Sequence, residues 1–228
     1  MSILDRSTLR DAQTVNYVDS NAISGHKVLR NTYMLLAMTL LFSALAAGVS
    51  VAFALPSMGI IVTLVGYFGL LFLTTKLRNS AWGIASVFAL TGFMGLTLGP
   101  IISRYLGLPG GGAIVMGAMG LTAVIFIGLS AYVLVSKRDF SFMGGFLAVG
   151  ILVAFVAGLG AMFFEVPALS IAVSAAFVLL MSGMILFETS NIINGGETNY
   201  VMATVSLYIT IFNLFTSLLQ ILGFIEKE

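Results

Sequence analysis

Residues 199–223 read NYVMATVSLYITIFNLFTSLLQILG. The stretch contains no Asp, Glu, Lys or Arg. At a rise of about 1.5 Å per residue it would extend roughly 37 Å as a helix, enough to cross a hydrocarbon layer of about 30 Å. Yet it is not uniformly apolar. Asn199, Ala203, Ser206, Thr210, Asn213, Ser217 and Gln220 recur at steps of four and three, which is one face of a helix. Leu207, Ile211, Leu214, Leu218 and Leu222 lie on the other side. A polar stripe along a whole span is not compatible with lipid and requires protein or a water-filled path beside it. The stretch therefore predicts a central helix with others packed around it.

The rest of the chain can supply those neighbours. Of 228 residues, 59% are hydrophobic and 8% are charged. A soluble domain carries about 25% charged residues, so this composition excludes one. A net charge of +1 offers no attraction to a polyanion, which excludes a nucleic-acid partner. Six further apolar runs precede the striped one, at 32–55, 57–75, 81–103, 112–135, 140–164 and 166–187. With 201–225 they make seven spans. The runs are continuous, whereas the strands of a membrane barrel alternate every second residue. The expected fold is an all-α polytopic membrane protein, residues 31–226, preceded by a polar tail over residues 1–30. The tail interleaves Asp5, Arg6, Arg10, Asp11 and Asp19 and so does not read as a cleaved leader.

Charge sets the orientation. With seven spans, Arg6, Arg10, Lys27, Arg30, Lys76, Arg78, Lys137 and Arg138 fall on one side, and Arg104 and Lys227 on the other. The positive-inside rule then places the N-terminus in the cytoplasm and the C-terminus across the membrane. Pro56, Pro100, Pro109 and Pro167 are all expected at turns on the outer side, where a helix stops.

Helix pairing in lipid depends on close approach and polar contacts, because lipid tails are as apolar as leucine. Gly95 and Gly99, Ala113 and Gly117, Ala154 and Gly158, and Ala157 and Ala161 provide small residues four apart. Thr32, Thr39, Ser43 and Ser50 give the first span a shorter polar face. The stripe on the seventh span has two readings: hydrogen bonding between helices, or a conduction surface.

One carboxylate stands apart. Glu165 and Glu197 fall in polar turns, but Glu188 directly follows Met184, Ile185, Leu186 and Phe187. Counting about 20 residues from Ala168 puts Glu188 at the cytoplasmic rim, about 15 Å from Thr210. There Lys76 and Arg78 could pair with it. If the sixth helix begins higher, Glu188 is buried instead. The candidate polar core is Glu188, Thr210, Asn213, Ser206 and Ser217, with Lys76 and Arg78.

Enzymatic chemistry is not expected. The chain has no Cys and one His, His26, so no thiolate or multi-histidine metal site and no Ser–His pair can be built. No Asp lies within a span, and neither HExxH nor GxxxxGK[ST] occurs. No cofactor and no metal are expected.

The segments GHKVLRNTYMLLAMTLLFSA at 25–44, GFMGLTLGPI at 92–101, SAYVLVSKRDFSFMGG at 130–145 and the stretch 186–223 resemble the Bax inhibitor-1 family, and specifically its bacterial YccA branch. The resemblance covers about residues 25–225. It implies six spans packed around a seventh, a cytoplasmic N-terminus and the inner membrane. It also implies a partner, the membrane-anchored protease FtsH, which such proteins restrain, with a contact on the cytoplasmic tail, here residues 1 to about 26. Other family members are pH-sensitive calcium leaks with two facing acids. The first acid falls on Glu188. The second falls on Thr210, which cannot ionise, so the resemblance leaves a calcium leak as the alternative function.

Overall fold

The computed structural model describes the backbone of residues 3–226 and the side chains of residues 26–226. Seven helices follow in order: α1 (Ile3–Ala52), α2 (Gly59–Leu77), α3 (Trp82–Leu106), α4 (Gly111–Ser136), α5 (Gly144–Phe163), α6 (Pro167–Ile193) and α7 (Tyr200–Ile225). A single 3₁₀ turn, Ser141–Met143, leads into α5. Each helix is long and apolar enough to cross a membrane, with His26–Ala52 as the membrane-length part of α1. The tail segment expected to meet a partner, residues 1 to about 26, lies outside the residues whose side chains are described, as does Lys227.

The striped helix is enclosed. From Val201 to Phe224 no residue of α7 is exposed. It packs directly against α1, α3, α4 and α6, while α2 leans on α3 and α5 on α6. The outer helices show it in reverse: α2 buries only Thr74, and α5 only Leu147, Ala154 and Ala161. Many of their other apolar side chains, such as Phe72 and Val153, point outward into lipid, while Tyr67, Leu70, Leu71 and Ile151 pack half-buried against the core.

Helix α1 turns its polar face inward. Thr32, Thr39, Ser43 and Ser50 are all buried. Helix α3 meets this face through glycine. A methyl group added at Gly95 would land on the carbonyl of Ser43, and one at Gly99 on the side chain of Ser50. The missing side chains let the two backbones approach, and Ser50 Oγ donates to the carbonyl of Leu96 at 2.9 Å.

That bond explains a correction. Pro100 was expected to end its helix, but it lies inside α3, which continues to Leu106. Proline has no N–H, so the carbonyl four residues back loses its helical donor. That carbonyl belongs to Leu96, and Ser50 supplies the replacement. The other three prolines are at turns: Pro56 and Pro109 lie between helices, and Pro167 takes the first turn of α6, where a missing N–H costs nothing.

Three turns gather on one face. Asn199 Nδ2 donates to Asn79 Oδ1 at 2.8 Å and to the carbonyl of Arg78 at 3.2 Å, joining the α6–α7 and α2–α3 turns. The Asn199 oxygen accepts from the amides of Val201 and Met202, capping α7. Ser190 Oγ accepts from the Phe140 amide at 2.9 Å and so holds the α4–α5 turn. Lys76, Arg78, Lys137 and Arg138 belong to this basic face. On the opposite face, Glu226 beside Gly110 brings the end of α7 to the α3–α4 turn.

Candidate functional site: a buried carboxyl and a polar seam along the central helix

Helix α6 does not stop at residue 187. It runs to Ile193, because polar Thr189, Ser190 and Asn191 find partners rather than water. Ser190 takes the α4–α5 turn, Asn191 accepts the Gly196 and Glu197 amides on its carbonyl, and Thr189 lies 3.4 Å from the Tyr33 hydroxyl. Glu188 therefore sits within the helix and is 8% exposed.

The distance expected between Glu188 and Thr210 is corrected accordingly. The Thr210 hydroxyl lies 3.2 Å from Glu188 Oε1 and 3.3 Å from Oε2, within donating reach of both. Two features close the gap. Glu188 lies about 8 Å, and Thr210 about 15 Å, inside the basic-face ends of their helices at a 1.5 Å rise. Each Cα–Cβ bond also leans towards its own helix N-terminus. The α6 and α7 N-termini lie on opposite faces, so the two side chains lean towards each other.

Lys76 and Arg78 do not join this pair. Both are exposed on the basic face, as are Lys27, Arg30, Lys137 and Arg138, and Arg104 is exposed on the opposite face, so every described Lys and Arg is exposed. Glu188 has a hydroxyl for company and no cation. Among the described residues no group of three or more metal-ligating side chains forms.

The remaining stripe residues divide. Ser206 is half-buried on the basic-face side of Thr210. On the other side Asn213, Thr216, Ser217 and Gln220 line a cavity of about 220 Å³ between α5, α6 and α7. Its far wall is Ser170 and Ser174 of α6, with Gly158 of α5. Gln220 bridges the helices: its oxygen accepts from Ser174 at 2.9 Å and its nitrogen donates to Ser170. Asn213 Nδ2 donates to the Ile209 carbonyl at 2.8 Å. The sequence reading missed Ser170 and Ser174, although their spacing of four was a usable signal.

A third polar cluster lies where α1, α3 and α7 meet. Ser43 Oγ is 2.6 Å from the Tyr208 hydroxyl, which donates to the Thr91 carbonyl at 3.2 Å. Tyr208 is 1% exposed. The pair forms the floor of an apolar cleft of about 590 Å³ between α1 and α4. Tyr208 lies on neither of the two faces read from the periodicity.

Seven membrane-length helices, an enclosed α7 and a lone carboxyl on its partner define a polytopic α-helical membrane protein with a polar seam. The sequence profile of the family described as inhibitor of apoptosis-promoting Bax1 matches residues 25–227, and the chain belongs to that family, the Bax inhibitor-1 family. Among its relatives is the protein of Escherichia coli strain K12 named modulator of FtsH protease YccA, 54% identical over 92% of this chain and 95% of that one. An uncharacterized protein of Pseudomonas aeruginosa is 57% identical over 90% of this chain and 91% of its own. A membrane protein of Vibrio cholerae is 45% identical over 89% and 92%.

Proposed function

We propose that this protein is an integral inner-membrane regulator that binds the membrane-anchored protease FtsH and restrains its degradation of membrane proteins. The observation that carries this reading is the 54% identity to a modulator of that protease, spread over 92% of this chain. A second Escherichia coli relative at the same identity is named an inner membrane protein. Lys27, Arg30, Lys76, Arg78, Lys137 and Arg138 group on one face, which favours a cytoplasmic N-terminus under the positive-inside rule. The polar tail, residues 1–30, is then on the side where a cytoplasmic protease domain would meet it, and the membrane domain is residues 31–226. No catalytic role is assigned to the chain.

The test removes residues 1–26. Co-isolation of FtsH from detergent and the lifetime of its membrane substrates are compared between the full chain and the shortened one. Lost co-isolation and shorter substrate lifetimes support the reading. Unchanged recovery and turnover overturn the tail's part, and failure of the full chain to recover FtsH overturns the reading itself.

A second reading is favoured by the burial of Glu188 against Thr210. In it the protein is a pH-sensitive calcium or cation leak, with Glu188 and Thr210 as the gate, Ser206, Asn213 and Ser217 along the path, and Lys76 and Arg78 at its basic mouth. Calcium flux into liposomes, measured across pH for the natural chain and Glu188→Gln, decides between the two. Equal flux at every pH removes Glu188 as a gate, and no flux removes the channel.

A further inference from the structure

The cavity on the far side of Thr210 lies at membrane depth and yet most of its wall is hydroxyls and carboxamides, with Gly158, Val173 and Phe177 completing it. Ser170 and Ser174 come from α6, and Asn213, Thr216, Ser217 and Gln220 from α7. Cavities that remain dry in proteins are lined by apolar side chains, whereas a polar and roomy one holds water. A single water needs about 10–15 Å³ of this kind of space, and this cavity has about 220 Å³. Its polar groups are only partly consumed by each other: Gln220 bonds to Ser170 and Ser174, whereas Asn213 and Thr216 bond only to carbonyls of their own helix. Asn213 uses one N–H on the Ile209 carbonyl, which leaves its carboxamide oxygen available. Thr216 shares its proton between two carbonyls of its own helix and keeps its acceptor capacity. In hydrocarbon such groups would go unsatisfied.

The cavity has a direction. Ser170 is three residues from the start of α6 at Pro167, and Gln220 is five from the end of α7 at Ile225, so this end of the cavity lies towards the face opposite the basic one. It reaches inward to Asn213, one helical turn from Thr210. No ionisable side chain is in its wall, so a charged solute would enter without a counter-charge.

We propose that this cavity is a hydrated vestibule, a site for water and small uncharged hydrogen-bonding solutes, open at the Gln220 end and closed before the Glu188–Thr210 pair. It is independent of the protease-restraint reading; it shares Asn213 and Ser217 with the path of the leak reading, and its closed end and uncharged wall oppose a cation route through it.

The chain contains no cysteine, so single cysteines report on water without background. Ser217→Cys and Ser174→Cys are placed in liposomes and treated with the uncharged hydroxyethyl methanethiosulfonate. Val153→Cys, on a side chain 62% exposed on the outer surface of α5, is the lipid-facing reference. The reacting species is the thiolate, which forms in water, so the vestibule positions are expected to react at least about tenfold faster than Val153→Cys. A membrane-impermeant cationic relative, used for sidedness, should modify Glu165→Cys from one side and Arg138→Cys from the other. The vestibule positions should react with it slowly, and only from the Glu165 side. Reaction at the Val153→Cys rate overturns the vestibule. Equal access from both sides overturns its closed end, and cationic reaction as fast as neutral overturns the restriction to uncharged solutes. If the cysteine variants do not accumulate, water contact at the Asn213 and Gln220 side-chain amides of the natural chain is measured by solid-state NMR. Cross-peaks to water support the proposal and their absence overturns it.

Discussion

Thr210 on α7 and Glu188 on α6 are 22 positions apart in the chain, and the threonine hydroxyl lies 3.2 Å from the glutamate oxygen. An average hydrogen bond between membrane helices contributes about 0.6 kcal/mol. This one should be worth more to remove, because Glu188 is buried and every described Lys and Arg is exposed. Thr210→Val strands a buried carboxyl, a loss of about 1–3 kcal/mol by the cost of an unsatisfied polar group. Thr210→Ser retains the hydroxyl and loses only a buried methyl group, so it should cost less than Thr210→Val. Unfolding in mild detergent measures both, and equal losses in the two variants would show that the hydroxyl is not what matters.

Asn199 carries two structural tasks with one carboxamide. Its oxygen caps α7 through the Val201 and Met202 amides at 3.0 and 3.1 Å. Its nitrogen ties down the α2–α3 turn through Asn79 and Arg78. Asn199→Ala should cost about 1 kcal/mol for the cap alone. Asn199→Asp retains the capping oxygen and loses the donor, which separates the two tasks. Hydrogen exchange is the measurement: the Asp variant should quicken exchange around Asn79 while leaving the first turn of α7 protected, and the Ala variant should quicken both.

Much of this architecture was legible in the chain. Span number follows from run lengths against a fixed membrane thickness, and the enclosure of α7 follows from seven residues on one face. The inward polar face of α1 was read the same way, from Thr32, Thr39, Ser43 and Ser50. What could not be read depended on partners from elsewhere in the chain. Thr189, Ser190 and Asn191 look like a loop until the α4–α5 turn and Tyr33 are beside them. Pro100 looks like a stop until Ser50 is within reach of Leu96. Ser170 and Ser174 look like ordinary helix hydroxyls until Gln220 faces them. Periodicity says which side of a helix is polar. It does not say which helix answers it.

Asp139 gives the α4–α5 turn a pH dependence. The Ser141 backbone amide, 2.8 Å from Asp139 Oδ1, together with the Ser141 and Ser190 hydroxyls, holds this exposed carboxyl below its ordinary value of 3.8. A carboxyl whose folded value is depressed adds stability above its unfolded value, and that stability is lost as the pH falls through the folded one. The natural chain should therefore unfold at a higher temperature than Asp139→Asn near neutrality. The gap should close as the pH drops below about 3.8. Taking the difference between the two proteins cancels the other acids. A gap that held constant down to the lowest pH would show that the charge of Asp139 does not support the turn.

Ser50 and Pro100 should be coupled although they do not bond to each other. Pro100 removes the amide that would serve the Leu96 carbonyl, and Ser50 supplies a substitute at 2.9 Å. Ser50→Ala alone leaves that part-buried carbonyl without a donor, at a cost of about 1 kcal/mol. Pro100→Ala restores the helical amide, so Leu96 no longer depends on α1. In that background Ser50→Ala should cost only what the lost hydroxyl contributes to packing. A double-mutant cycle on unfolding free energies is expected to return a coupling of roughly 0.5–1.5 kcal/mol, within the range for residues that share a partner. Gly99 complicates the arithmetic only if the backbones shift, because its missing side chain is what lets Ser50 approach. Gly99→Ala measures that term separately and should destabilise both backgrounds alike. Zero coupling would mean that water or a bend in α3, rather than Ser50, satisfies the Leu96 carbonyl.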